Sequence, residues 1–402
     1  MKLADVCAVE KQAYDGSPLP YVGLEDIESS TGRYLGNFEP KTVQSTSFRF
    51  TPEHLLYGRL RPYLNKLIAP EFTGHCSTEI FPIRPSKQLD RQFLFYWLSM
   101  QQTVDLIDGT CTGARMPRAN MNEVMNFELL VPSIAEQKRI VAILDEAFAG
   151  IAAATANAEK NLANARSLVD VAIEEQLGRI SQGQHQETTV AQVAENRKNS
   201  VRTGPFGSQL LHGEFVDEGI AVLGIDNVVQ NKFRWDKRRY ITPDKFKELT
   251  RYRVFPGDVL ISIMGTCGRC AVVPDDIPLA INSKHLCCIS VDQSRCLPEF
   301  LKLYFLHHPV AKNYLEERAS GAIMAGLNMG IIKDLPVLLP CVKEQAAIVA
   351  TYERLSRGLS DLMEVYSRKR AYLAELKQAI LQKAFSGELT ALREEALQEE
   401  AA

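Results

Sequence analysis

Val131-Pro132-Ser133-Ile134-Ala135-Glu136-Gln137 and Leu339-Pro340-Cys341-Val342-Lys343-Glu344-Gln345 are one phrase written twice, 208 residues apart. The match continues on both sides. Ile140-Val141-Ala142 returns as Ile348-Val349-Ala350, Gly113-Ala114 as Gly321-Ala322, and Asn120-Met121 as Asn328-Met329. A constant offset over so long a stretch leaves no room for an insertion within it. The chain reads as a tandem duplication with pseudo-two-fold symmetry, each half a globular domain followed by a long helix.

The residues downstream of each repeated phrase read as helix. From Ser133 to about Leu177 there is no proline and alanine dominates. Ser133 and Glu136 have the spacing of a capping box, Pro132 favours an extended approach, and Gly178 is the expected stop. A heptad line runs Ala147, Ile151, Ala154, Ala158, Asn161, Ala165, Leu168, Ala172. The same positions in the second copy are Leu355, Leu359, Leu362, Tyr366, Lys369, Leu373, Leu376 and Ile380. One line is small and the other bulky, which suits two helices packed against each other. Asn161 and Lys369 share one heptad position, a device for fixing register. About 45 residues at ~1.5 Å each give a rod of roughly 65 Å.

The expected class is α+β, with two mixed α/β domains. The boundaries are 1–131 for the first domain, 132–180 for its helix, 181–188 for a polar linker, 189–339 for the second domain, 340–389 for its helix and 390–402 for an acidic tail. Phe48-Arg49-Phe50 and Glu79-Ile80-Phe81-Pro82-Ile83 read as strands, and Asp90 to Ser99 as an amphipathic helix. Leu3-Ala4-Asp5-Val6 is echoed by Val190-Ala191-Gln192-Val193. The domain interiors diverge, as expected if each recognises something different.

Composition bounds the class. Apolar content of 46% and charged content of 24% are ordinary for a globular protein, and the net charge of −3 argues against nonspecific coating of nucleic acid. No unbroken run of about 18 apolar residues is present, so no membrane span is expected. An acid stands where a signal peptide would have its apolar core, and the nine cysteines are irregularly spaced. They are read as reduced thiols in the cytoplasm. Cys267 and Cys270 have zinc-like spacing, but the adjacent Cys287-Cys288 would strain a tetrahedral site, so structural thiols are the preferred reading. No P-loop, dinucleotide fingerprint, H-E-x-x-H, G-x-S-x-G or Asn/Asp-Pro-Pro-aromatic motif occurs, so no catalytic centre is expected.

Basic groups cluster in both halves. Arg59-Leu60-Arg61-Pro62-Tyr63-Leu64-Asn65-Lys66 interleaves guanidinium, aromatic and amide groups, and Arg115 and Arg118 flank Met116-Pro117. In the second half Lys232, Arg234, Trp235, Lys237, Arg238 and Arg239 form the densest positive run. Such groups suit phosphate anchoring and base-edge reading, although a single run of this kind is as readily a solvated face.

At this point the residues resemble a family, the specificity subunit of type I restriction–modification enzymes. The resemblance rests on both Pro-x-x-x-Glu-Gln helix starts, on Leu56 to Lys66, Cys76-Ser77-Thr78-Glu79, Gly204-Pro205-Phe206-Gly207-Ser208, Pro256 to Ser262, Gly265 to Arg269, and the closing Ala379 to Leu389. It implies two target recognition domains, each reading half of a split DNA sequence. The long helices would pair as an antiparallel coiled coil through Ile151, Ala158, Ala165, Leu168, Leu359, Leu362, Tyr366, Leu373, Leu376 and Ile380. They would dock two modification subunits, with restriction subunits joining later. S-adenosylmethionine, ATP and Mg would be bound by those partners and no cofactor by this chain. On this basis Arg59, Arg61, Asn65, Lys66, Arg115 and Arg118 line one DNA face. Lys232, Arg234, Lys237, Arg238 and Arg239 line the other, with Ser208 and Gln209 nearby. Cys341 in place of Ser133 removes the second capping box. The rival reading is a coiled-coil scaffold binding proteins, and a fused nuclease would need a carboxylate-rich metal site that is not evident.

Overall fold

A computed structural model describes residues 1–113, 115–235, 238–319 and 327–388. Lys237, Gly321-Ala322 and the acidic tail lie outside the described residues. The chain forms two compact units, Met1–Glu159 with the residues from Tyr366 onward, and Lys160–Val365. The division passes through both long helices, Ile134–Gly178 and Val342–Ser386, and sets neither apart as a domain.

In the first unit an antiparallel sheet runs in the order Cys7–Val9, Ile80–Pro85, Leu55–Gly58, Leu67–Ile68. A smaller sheet places Gly74–Ser77 between Tyr21–Val22 and Ser47–Phe50. Asp90 caps the helix Arg91–Ser99, accepting from the amides of Gln92 and Phe93 at 2.9 and 3.0 Å. That helix buries Phe93, Leu94, Tyr96 and Trp97. The core also takes Ile140 and Leu144 from the first long helix, and Leu381 and Ala384 from the end of the second. Phe385 meets Phe93 at 4.7 Å. The chain's Ala379 to Phe385 segment is thus core material, a reason for its apolar pattern.

The second unit repeats the plan. One sheet is ordered Cys270–Val272, Val259–Ser262, Leu286–Ile289, Val201–Thr203, and another Tyr240–Ile241, Ile220–Leu223, Ala280–Asn282, Arg253–Val254. Pro298–His307 packs as Arg91–Ser99 does, burying Phe300, Leu301, Leu303 and Tyr304. Here the core takes Ile173 and Leu177 from the end of the first long helix and Ile348 from the start of the second. The echo between Leu3–Val6 and Val190–Val193 is structural. Both are single-turn helices whose third residue, Asp5 or Gln192, accepts from the cap amide at 3.0 or 3.1 Å.

The repeated phrase owes its form to glutamine. Gln137 is fully buried; its Oε1 accepts from the Asp90 amide at 2.7 Å, and its Nε2 donates to the carbonyls of Gln88 and Pro132 at 2.9 Å each. Gln345 is also fully buried and does the same, with the Leu297 amide at 2.8 Å and the Arg295 and Pro340 carbonyls at 2.8 and 2.9 Å. Each ties a long helix to the loop before its domain's main helix. Ser133 completes half of its box, accepting from the Glu136 amide at 3.3 Å. Cys341 contributes only its backbone carbonyl, to the amides of Glu344 and Gln345.

Several expectations along the helices need correction. The α-helix ends at Gly178, but not through a left-handed C′ turn; the Gly178 backbone is itself helical, and a 3-10 turn follows through Arg179–Gln182. Leu168 and Leu376, assigned to the seam, are 69% and 47% exposed. The buried positions near the helix ends are instead Ile173 and Leu177, and Leu381 and Ala384, with Val169 and Lys377 half-buried beside them. A straight helix drifts about 20° per heptad, so a strict seven-residue line leaves the buried face within a few turns. Asn161 and Lys369 are exposed, so neither is a buried register device. Ala158 is buried, and the other seam residues, Ile151, Ala165, Leu359, Leu362, Tyr366, Leu373 and Ile380, are half-buried. Although no unbroken apolar run exists, Ile134–Gln182 contains an 18-residue window of mean hydropathy 1.4, enough by length and composition to cross a membrane. Alanine supplies much of that value, and only 11% of the window is buried.

Two measurements test this account. Replacing Gln137 or Gln345 with alanine strips three hydrogen bonds from a sealed junction and should cost about 2–4 kcal/mol in chemical denaturation; a loss under about 0.5 kcal/mol would refute the anchor. His308 is almost fully buried against Tyr304, with ring centroids 4.3 Å apart. Burial, with His185 nearby, lowers its pKa to about 4. A depressed histidine stabilises fully above its ordinary value near 6.5 and loses that contribution as pH falls through its folded value. Stability should therefore drop by up to about 3 kcal/mol between pH 6.5 and 4, and His308→Asn should flatten that slope.

Candidate nucleic-acid interface

In the first unit two loops are knitted into one surface. Leu60 and Thr112 both bridge Arg118, and the Arg61 amide donates to the Pro117 carbonyl at 2.8 Å. Arg59, Arg61, Arg115 and Arg118 are thereby brought together. Glu79, on the turn before Ile80–Pro85, organises two of them. Arg118 grips it through Nε and Nη2 at 2.9–3.1 Å, and Arg59 through Nε at 3.0 Å. Those contacts, led by Arg118, hold the Glu79 carboxyl below its usual range. Arg59 also lies over Phe81, 5.1 Å from the ring. Arg61 and Arg115 are exposed and unpaired among the described residues, beside exposed Tyr63 and Met116.

Two assigned residues do not join this surface. Asn65 is 6% exposed and its Nδ2 donates to the Leu98 carbonyl at 3.2 Å. Lys66 turns its Nζ to the carbonyls of Leu24 and Ile27, at 2.6 and 2.9 Å. The cause is backbone conformation. Arg61 and Asn65 both occupy the left-handed region, with φ of 52° and 40°, which breaks the alternation that would have pointed them outward.

In the second unit Lys232, Arg234, Arg238 and Arg239 lie on and after an irregular 3-10 segment, Ile225–Asn231. Lys232 and Arg234 are exposed, and Arg234 donates to Gln230 Oε1 at 2.8 Å. Arg238 lies 5.6 Å over the Trp235 ring, and Arg239 pairs with Asp226. Arg238 and Arg239 line a cleft with Gly224, Asp226, Ser283 and His285. Ser283 Oγ is buried without a partner. Burial, then Lys284 and Arg239, hold His285 below its ordinary pKa, so it presents a neutral ring at pH 7. Sequence reasoning missed Ser283 and His285, which reach the arginines through the parallel pairing of Ile220–Leu223 with Ala280–Asn282. Ser208 and Gln209 sit exposed on a 3-10 turn, where Gln209 Oε1 accepts from the Phe206 amide and the Tyr252 hydroxyl. Gly204 lies so close to Asn282 and Ser283 that a Cβ would fall 2.2 Å from the Asn282 carbonyl oxygen.

The other motif residues are structural. Asp258 is buried, accepting from Arg202 at 2.5 Å and the Phe255 amide at 2.8 Å. Ser262 accepts from the Arg269 amide at 3.0 Å, closing the Gly265–Arg269 loop. Cys270, Cys287 and Cys288 are fully buried; burial raises all three thiols, Cys287 to about 12.

Comparison with known proteins identifies the family of the chain. The family model for the type I restriction modification DNA specificity domain matches residues 65–162 and 218–369, one stretch in each half. The chain is 25% identical over 392 residues to the EcoKI specificity subunit of Escherichia coli strain K12, covering 88% of this chain and 78% of that one. It is 28% identical over 179 residues to the EcoBI specificity subunit of Escherichia coli, covering 44% and 37%. The matches to the EcoBI and EcoDI subunits span only 37% and 33% of those proteins. Among solved structures, a chain from work on complex assembly and conformational transition of the type I R-M system aligns with a TM-score of 0.76 at 20% identity, covering 97% of both chains. The HsdS subunit from Thermoanaerobacter tengcongensis aligns at 0.56 and 20% identity, covering 97% and 96%. At such identity these two speak for the fold. The chain belongs to the type I restriction modification DNA specificity domain family.

Glu79→Gln should loosen the Arg118 clamp and expose the 112–118 loop. Limited proteolysis should cut there several-fold faster than in the parent; an unchanged rate would remove Glu79 as the organiser.

Proposed function

We propose that this chain is the sequence-specific DNA-binding specificity subunit of a type I restriction–modification complex. It reads a split, asymmetric target with two recognition domains. The observation carrying this reading is that one helix-anchoring junction occurs twice, each copy serving a domain with a different basic surface. Equal frames with unequal loops suit two different half-sites, whose distance apart must match a set number of base pairs.

The long helices serve as the spacer, paired antiparallel. Three contacts support that pairing. Lys377 lies 5.1 Å over Phe148, Arg370 is 3.8 Å from Glu159, and Arg166 is 3.8 Å from Met363. Residue numbers rise along one helix as they fall along the other. Leu168, Val171, Tyr372 and Leu376 leave large apolar groups exposed on these helices, which suits docking of two modification subunits and, through the assembly, restriction subunits. The chain itself is non-catalytic. S-adenosylmethionine, ATP and Mg belong to the partners, and the complex works in the cytoplasm.

The test is to co-express the chain with its modification subunit and map methylated adenines in genomic DNA. One split motif is expected; none, despite a stable complex with intact methyl donor, would favour a protein-binding scaffold. Arg61→Ala should weaken binding through one half-site only, by about 10-fold. One extra heptad in the first helix should alter the spacer and leave both half-sites unchanged; changed half-sites would overturn the ruler.

A further inference from the structure

We infer that a second basic cleft, away from the arginine run at 232–239, is a phosphate-binding site that grips DNA backbone irrespective of sequence. The cleft measures about 440 Å³ and is lined by Arg197, Asn199, Ser200, Arg202, Arg251 and Lys333, among others. It rests on the DNA-reading function proposed above and extends it to residues that no motif points to.

The first argument is charge. Arg197, Arg202, Arg251 and Lys333 line the cleft, and Arg253 shares the Phe255 ring with Arg197 and Arg202. Two carboxylates pair with this group, Asp258 buried beneath Arg202 and Glu195 beside Arg197. Among the described residues five cations stand against two paired anions, so the cleft carries net positive charge that favours an anion.

The second argument is rigidity. The Phe255 ring carries three guanidiniums, with Arg197 at 4.7 Å, Arg253 at 4.8 Å and Arg202 at 5.7 Å. Arg202 is 4% exposed and is further held by the Arg253 carbonyl at 2.7 and 3.0 Å and by Ser290 Oγ at 2.9 Å. Arg251 lies 4.6 Å over Tyr252 and donates to its hydroxyl at 2.6 Å. Side chains already fixed lose little freedom on binding, the usual mark of a surface built for a ligand.

The third argument is continuity. The Tyr252 hydroxyl donates to Gln209 Oε1 at 2.8 Å, and Gln209 accepts from the Phe206 amide at 3.1 Å. The cleft is therefore wired to the Gly204–Ser208 segment, so a strand of DNA read by that segment can extend its phosphates into the cleft. Guanidinium, ammonium, hydroxyl and amide donors are the groups that contact phosphates, and such contacts position without specifying.

The experiment uses the chain assembled with its modification subunit, and two duplexes, one with the mapped motif and one scrambled. Affinity is measured from 50 to 200 mM KCl. Arg251→Gln with Lys333→Gln should weaken both duplexes by the same factor, about 10-fold, and flatten the salt slope by about one unit per lost contact. The methylated motif should not change, and Arg251→Lys with Lys333→Arg should restore binding. Lys333→Gln alone, at a half-buried position on a short helix, gives the same readout if the double variant does not fold. Unchanged affinity and slope would overturn the proposal. So would loss confined to the specific duplex, which would make the cleft a base reader. Thermal stabilisation by 10 mM inorganic phosphate, lost in the variant without any change in DNA affinity, would assign the cleft to a free anion and overturn it as well. If the parent assembly methylates no motif, and the variant still binds an arbitrary duplex about 10-fold more weakly with a flatter salt slope, the cleft stands while the reading of a split target fails.

Discussion

The main core of each unit is closed by two long helices, the one that leaves the domain and the one that ends in it. In the first unit Ile140 and Leu144 come from a helix start, and Leu381 and Ala384 from the other helix's end. In the second unit Ile348 plays the first part, and Ile173 and Leu177 the second. Burial of apolar area is the dominant stabilising term, and roughly 1.5–3 kcal/mol attaches to each of these isoleucines and leucines. The helices are therefore stabilised chiefly at their ends. Their middles, with Ala158 as the one fully buried seam residue, contribute little area. That division leaves the middle of each rod free to carry exposed apolar groups.

How much of this was legible depended on the kind of signal. The duplication could be read because its offset is constant and its phrases contain residues with demanding roles. The helix ends were less so. A heptad ruler laid over 45 residues placed Leu168 and Leu376 on a face that the drifting helix turns to solvent. Single-turn helices at Leu3 and Val190 were detectable only as an echo, because four residues carry no periodicity.

The site divides the same way. Arg59, Arg61, Arg115 and Arg118 were found together because two neighbouring loops bring them together with few intermediaries. Asn65 and Lys66 lie away from that surface because left-handed turns at Arg61 and Asn65 redirect them, and the enrichment of asparagine at positive φ does not extend to Arg61. Ser283, His285, Arg197 and Arg251 went unseen for another reason. Ser283, His285 and Arg197 reach their neighbours through strand pairing and ring stacking between segments tens of residues apart, which no local pattern encodes, and Arg251 is joined to the Phe206–Gln209 turn only through Tyr252.

One property of the two glutamines reaches beyond stability. Every partner of Gln137 and Gln345 is a main-chain group: one amide and two carbonyls in each case. The junction thus consults no side chain on the domain it holds. The glutamines ask of residues 88, 90, 295 and 297 only their main chain, so long as neither 90 nor 297 is proline, although Asp90 also caps its own helix. A domain with wholly foreign loops can be fitted to either rod provided its main chain follows the same path. The frame is in that sense indifferent to the loops that its domains carry.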